Sequence, residues 1–209
     1  LRGEEIIVRK NGTERPLLTT ADIKLPGVHN VENYMTAIAL CRDLVTPETV
    51  YGVAHTFPGV AHRLQYVRTV RGVKYFNSSI DTSPTRTEAA LSALAGMGYH
   101  PVTICGGYDK QIPLRPLAQA LCRYAASAVL TGATAEMIAG ELQALAGEGE
   151  KTVDYVIVPK FEDAVAAARD RAPRNGVVLL SPGCASFDAF RNFEERGHRF
   201  CSIVKDFTE

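Results

Sequence analysis

A chain of 209 residues suffices for one large domain or one and a half, and 46% hydrophobic with 22% charged content is that of an ordinary globular protein. Its 23 basic and 23 acidic residues cancel, so no polyanion-binding surface is indicated and nucleic acid is not an expected partner. No apolar run approaches the roughly 18 residues of a membrane span, and no signal peptide is visible. The five scattered cysteines form no CxxC pair and have no His at ligand spacing, so they read as reduced thiols of a cytoplasmic protein rather than zinc ligands. The chain opens on Leu1 instead of methionine, which reads as a piece of something longer.

In chain order, residues 5–18 read as a β-hairpin turning at Asn11-Gly12. After Leu25-Pro26-Gly27, Asn30 is placed to cap a helix whose buried face would be Val31, Tyr34, Met35 and Ile38. Thr46-Pro47-Glu48 is a second helix start, a cap followed by proline, and Pro58-Gly59 stops that helix. This first segment is too small to be a domain by itself and reads as the tail of one. The domain boundary falls near residues 59–62, giving segments 1–60 and 61–209.

A second hairpin, 64–70 and 73–77, turns at Arg71-Gly72. Helix and strand then alternate: a helix over 84–94 capped by Ser83, a strand at 102–105, a helix over 113–124 and a strand at 128–130. A helix over 135–145, a strand at 153–158, a helix over 162–172 and a strand at 177–180 follow. The last helix is expected from Phe187 to Val204, with Ser186 or Asp188 as its cap and Phe187, Phe190 and Phe193 on its apolar face. This alternation predicts an α/β fold, a Rossmann-like, mostly parallel sheet with helices on both faces, preceded by an α+β segment.

Ligands of open parallel sheets bind beyond the carboxyl ends of the strands. Three loops follow strands directly: NSSIDTS (77–83), GGYDK (106–110) and SPGCAS (181–186). They offer the Thr82, Ser83 and Ser186 hydroxyls, the Lys110 ammonium and N–H groups at helix starts, an inventory suited to carboxylate or phosphate. None contains His, so no serine-type triad is indicated. GGYDK lacks P-loop spacing, and no GxGxxG follows a strand, which disfavours a dinucleotide oxidoreductase. Each loop alone also reads as an ordinary turn, with Lys110 a solvated charge and Asp81 and Asp109 turn-formers. His62-Arg63 reads equally as a salt-bridged hinge or a nucleotide contact.

Taken together, LPGVHNVEN, FPGVAHRLQYV, YFNSSIDTSPTRTEAAL, CGGYDK and LLSPGCASFDAFRNFEERG resemble the Mur ligase family, in this order and over essentially the whole chain. No DNPR-type motif, usual in diaminopimelate- or lysine-adding members, is present, so the resemblance is to members that add D-glutamate. It implies the end of a central ATP-binding domain (1–60) and a C-terminal amino-acid-binding domain (61–209) of an ATP-dependent, carbon–nitrogen bond-forming ligase of peptidoglycan synthesis. Such a ligase phosphorylates the carboxylate of UDP-N-acetylmuramoyl-L-alanine, and the amine of D-glutamate attacks the acyl phosphate.

By that resemblance Thr82 and Lys110 hold one carboxylate of D-glutamate, and Ser186 and the backbone at Phe193 hold the other. Asn30 and Arg63 contact ATP. The Mg2+ ligands and the P-loop lie outside the chain, so no catalytic residue and no metal ligand is expected within it. A cytoplasmic monomer is expected, inactive as this piece alone. Where many relatives carry Asp-Ser-Lys this chain has Ser78-Ser79-Ile80, which removes the acid at the first position and leaves Asp81 as a nearby carboxylate. The alternatives are another Mur-type or folylpolyglutamate-synthase-like ligase domain, or an isolated ligand-binding module without activity.

Overall fold

The computed structural model describes residues 1–10, 12–25 and 27–208, which form two compact units, 1–59 and 60–209. In the first, β1 (Glu5–Lys10) pairs antiparallel with β2 (Thr13–Thr19), opposing Ile6 to Leu18. Asn11 of the expected turn and Pro26 lie outside the described residues. A single 3-10 turn, Thr20–Asp22, leads toward α1 (Val28–Cys41) and α2 (Pro47–Thr56). The core of this unit is Ile6, Leu18, Ile23, Tyr34, Ile38 and Ala54. Thr46 caps α2 by accepting the Thr49 N–H at 3.3 Å. Asn30 is not the cap of α1. The helix starts at Val28 behind Gly27, whose φ of +99° turns the chain, and Asn30 lies in the first turn with its N–H on Gly27 O.

The second unit carries a six-stranded sheet. Its strands are β3 (Gln65–Val70), β4 (Val73–Asn77), β5 (Val102–Cys105), β6 (Ser127–Leu130), β7 (Asp154–Ile157) and β8 (Val177–Leu180), in the spatial order β3-β4-β8-β5-β6-β7. Only the edge strand β3 runs antiparallel; β4, β8, β5, β6 and β7 are parallel neighbours. Side chains alternate across a strand, so β8 divides its four apolar residues between two cores. Val177 and Leu179 face α3 (Pro84–Gly96), α4 (Arg115–Tyr124) and α5 (Ala135–Gly147), through residues such as Leu91, Leu121 and Ile138. Val178 and Leu180 face α6 (Phe161–Arg171) and α7 (Phe193–Asp206), through Val165 and Phe200. A strand buried on both faces reads as an unbroken apolar run for this reason.

Three local expectations differ. Pro116, not Pro113, sits in the first turn of α4, which begins at Arg115. Ser83 occupies the N-cap of α3 in an extended conformation, but its hydroxyl makes no capping hydrogen bond. The largest difference is α7, which begins at Phe193 rather than Phe187. Asn192 caps it by accepting the Glu195 N–H at 2.8 Å, and the Glu195 carboxylate turns back to accept the Arg191 N–H at 2.7 Å. Residues 186–190 instead form a turn, with the Ala189 and Phe190 N–H groups on Ser186 O. The three phenylalanines therefore share no helix face. Phe187 is 64% exposed beside the Tyr108 ring, Phe190 packs edge-on against Phe161, and Phe193 stands edge-on to His62. Among the described residues no helix is long and apolar enough to cross a membrane.

Candidate functional site

The three loops singled out in the sequence leave the carboxyl ends of β4, β5 and β8, and β8 lies between the other two. They are therefore side by side, with 181–186 in the middle. Backbone hydrogen bonds stitch them: Gly106 N–H donates to Pro182 O at 2.8 Å, Tyr108 N–H to Ala185 O at 2.9 Å and Gly183 N–H to Asp81 O at 2.8 Å. Gly106 is required where it stands. Its φ is +111°, and a Cβ there would lie 1.9 Å from Thr131 O at the end of β6. Only glycine satisfies both the conformation and the approach.

A buried guanidinium completes the stitching from below. Arg196 on α7 is 2% exposed and donates to Ala185 O (2.9 Å), Cys184 O (3.0 Å) and Ser79 O (3.0 Å), so one side chain holds two of the loops. Burial brings its pKa down to about 10, opposed by Asp188 above all, so it is charged at neutral pH. The next residue, Gly197, lets α7 approach closely: a Cβ there would lie 2.2 Å from His62 Nδ1 and 2.3 Å from Ser79 Oγ.

Two titratable side chains lie beneath the loops. His62 is 6% exposed and accepts at Nδ1 from Asn77 Nδ2 (3.1 Å), with Ser79 Oγ at 3.3 Å. Burial, with His198 beside it, holds its pKa below the usual imidazole value against the opposing Glu194. It is a buried packing group held by Asn77, and no salt bridge of it is formed among the described residues. Asp81 is 5% exposed, and its carboxylate accepts the Ser181 hydroxyl at 2.8 Å. Burial raises its pKa to about 6, a rise that the Ser78 and Ser181 hydroxyls, Arg86 and Arg63 limit.

The raised pKa of Asp81 means that the folded chain binds this proton more tightly than the unfolded chain. The stabilisation is full below the unfolded value near 3.8 and is lost as pH rises through about 6. Asp81→Asn cannot ionise. Its stability relative to the parent should therefore rise between pH 4 and pH 7 by about 2–3 kcal/mol, read from urea unfolding at each pH. A pH-independent difference would count against a buried, ionising carboxyl.

Thr82 and Lys110 come together, since Lys110 Nζ donates to Thr82 O at 3.2 Å and leaves the Thr82 hydroxyl without a partner among the described residues. Ser186 is 2% exposed at the turn before α7, and its hydroxyl also has no partner among the described residues. The Phe193 N–H is the first donor of α7 and lacks a backbone acceptor among them. Arg63 is exposed just ahead of β3, whereas Asn30 belongs to the other unit, where it is buried in α1.

No activated nucleophile accompanies these donors. Burial pushes the Cys105 and Cys184 thiols up, and no metal-binding group of three or more His, Cys, Asp or Glu is formed among the described residues. The arrangement can bind and orient an anion bearing two separated negative ends. Sequence reading missed Arg196 as a member of this site, because an arginine following two glutamates in a helix reads as a solvated surface charge. The depth of Asp81 was also missed, since an Asp after Ser-Ser-Ile reads as a turn-former.

The sequence model of the Mur ligase, glutamate ligase domain matches residues 62–184, more than half of the chain. The chain belongs to the Mur ligase family. Among its relatives, the UDP-N-acetylmuramoylalanine–D-glutamate ligase of Acetivibrio thermocellus is 41% identical over 206 residues, 98% of this chain and 44% of the relative. That of Clostridium beijerinckii is 44% identical over 184 residues, 88% of this chain and 40% of the relative. The chain spans less than half the length of these curated relatives. Among solved structures, MurF of Acinetobacter baumannii superposes with a TM-score of 0.68 at 15% identity, covering 97% of this chain and 42% of that one. A Mycobacterium tuberculosis folylpolyglutamate synthase complexed with ADP and AMPPCP gives 0.64 at 16%, covering 95% and 48%. At such identities these two structures speak to the fold alone: the mixed α/β fold with helices on both faces of a mostly parallel sheet is that of Mur-type ligases.

Proposed function

We propose that the 60–209 unit is the amino-acid-binding domain of an ATP-dependent ligase that joins D-glutamate to UDP-N-acetylmuramoyl-L-alanine in peptidoglycan synthesis. The 1–59 unit is then the end of its central ATP-binding domain. The observation that carries this reading is the adjacency of the three strand-end loops, which gather donors with no partner of their own among the described residues beside the Lys110 ammonium. The name shared by relatives 37–44% identical supports D-glutamate as the amino acid.

In this reading the Lys110 ammonium and the Thr82 hydroxyl take one carboxylate, the lysine acting as a point charge. The Ser186 hydroxyl and the Phe193 N–H take the other, where the N-terminal end of α7 favours negative charge. With both carboxylates held, the amine is left to face the acyl phosphate that ATP makes from the muramoyl-alanine carboxylate. The contribution of this unit is orientation, which converts an encounter into an intramolecular attack. Arg63 and Asn30 serve the nucleotide. The family resemblance assigns the Mg2+ ligands to residues outside this chain.

Titrating the chain with D-glutamate and then L-glutamate, while following amide chemical shifts, tests the placement. Shifts at Thr82, Lys110, Ser186 and Phe193, larger for the D-isomer, are expected. If both the chain and the full-length protein with a non-hydrolysable ATP analogue respond elsewhere or not at all, the placement is wrong.

A further inference from the structure

We propose that Asp81 is a positioning residue that sets the distance between the two carboxylate-binding ends of the site, and thereby the length of dicarboxylate accepted. The inference rests on the amino-acid-binding reading of the three loops.

Every polar group of Asp81 is in use. Its N–H donates to Ser78 O at 2.9 Å, and its C=O accepts the Gly183 N–H at 2.8 Å. Its carboxylate accepts the Ser181 hydroxyl of the neighbouring loop at 2.8 Å. Ser181 Oγ also lies 2.9 Å from Thr87 Oγ1 on α3, and Ser78, whose C=O takes the Asp81 N–H, accepts the Leu64 N–H at its Oγ at 3.0 Å. An ionised carboxylate is an acceptor only, so the single Ser181 proton points to Asp81. The Thr87 hydroxyl donates to Ser181 O at 3.3 Å. The carboxylate thereby ties the 181–186 loop, itself held on α3, to the 77–83 loop.

Thr82, whose C=O holds Lys110, is the next residue after Asp81; Ser186 follows three residues after Gly183. The Asp81 junction therefore joins the two segments that carry Thr82 and Ser186. Ser78 is 1% exposed and committed to Leu64, and the Asp81 carboxylate is likewise enclosed. The facing charged and titratable groups are Arg63 ahead of β3, Arg86 on α3, Cys105 at the end of β5 and Arg196 on α7. Burial makes an ionised carboxyl here unfavourable to the fold at neutral pH.

Steady-state kinetics of Asp81→Asn in the full-length protein, with Lys110→Ala measured alongside, tests this. At pH 8 the KM for D-glutamate should rise about 10-fold while kcat and the KM for ATP stay within about two-fold, and the preference for D-glutamate over D-aspartate should shrink. The ratio of variant to parent KM should fall toward one below pH 6, where the parent carboxyl is itself neutral. If Asp81→Asn does not fold, Ser181→Ala, which removes one hydroxyl from the same junction, should give the same split between amino acid and ATP. A Lys110→Ala effect on the D-glutamate KM without one from Asp81→Asn or Ser181→Ala overturns the inference alone. Equal losses toward D-glutamate and ATP also overturn it, as the mark of a general structural role. Unchanged D-glutamate kinetics in Lys110→Ala overturns the binding reading and this inference with it.

Discussion

Gly106→Ala should destabilise the 60–209 unit by about 3–5 kcal/mol, with a matching drop in the denaturation midpoint followed by far-ultraviolet circular dichroism. Two costs combine. Alanine is strained at a φ of +111°, and its Cβ would stand 1.9 Å from Thr131 O, a backbone atom at the end of a buried strand that cannot swing aside as a flexible side chain would. Relief requires moving β5 and β6 apart or breaking the Gly106-to-Pro182 hydrogen bond that joins the GGYDK and SPGCAS loops. Gly98→Ala is the control. It has a comparable positive φ of +80° but open space around the added methyl, so only the conformational cost applies. Equal effects of the two substitutions would mean that the close approach at Gly106 is not a constraint.

Lys110→Ala should raise the KM for D-glutamate in the full-length protein about 10- to 100-fold, the loss of one charge-assisted hydrogen bond of about 1.5–3 kcal/mol, and leave the KM for ATP nearly unchanged. Lys110 is exposed, and its one hydrogen-bond partner among the described residues is the Thr82 carbonyl at 3.2 Å, so two of its three ammonium protons remain for a ligand. Removing it therefore costs the fold little and the site a full charge. Lys110→Arg should recover only part of the affinity, because a planar fork does not reproduce a point charge held by its contact to a carbonyl. Stopped-assay phosphate release at varied D-glutamate, then at varied ATP, separates the two KM values. A Lys110→Ala effect confined to ATP would place the lysine on the nucleotide.

The sequence by itself determined the α/β class and the boundaries of most elements. Strand β8 was legible because VVLL is buried on both faces and must be apolar throughout; the β3–β4 hairpin was legible because Arg71-Gly72 supplies the two positive φ angles of a tight turn. The three candidate loops were legible as well, since each directly follows a parallel strand. Tertiary structure decided what local pattern cannot encode. The insertion of β8 between β4 and β5 brings the 181–186 loop into the middle of the candidate site, though residues 111–180 separate it from the nearer of its neighbours in sequence. The start of α7 moved to Phe193 because Asn192 and Glu195 satisfy its first turn, while Phe187 and Phe190 are drawn to Tyr108 and Phe161 from elsewhere in the chain. Asp109 is a turn-former, accepting the Gln111 N–H, whereas Asp81, the same residue type in a similar loop, is a buried junction. What separates them is desolvation by strands and helices distant in sequence, and a carboxylate's neighbours within a few residues carry no record of that.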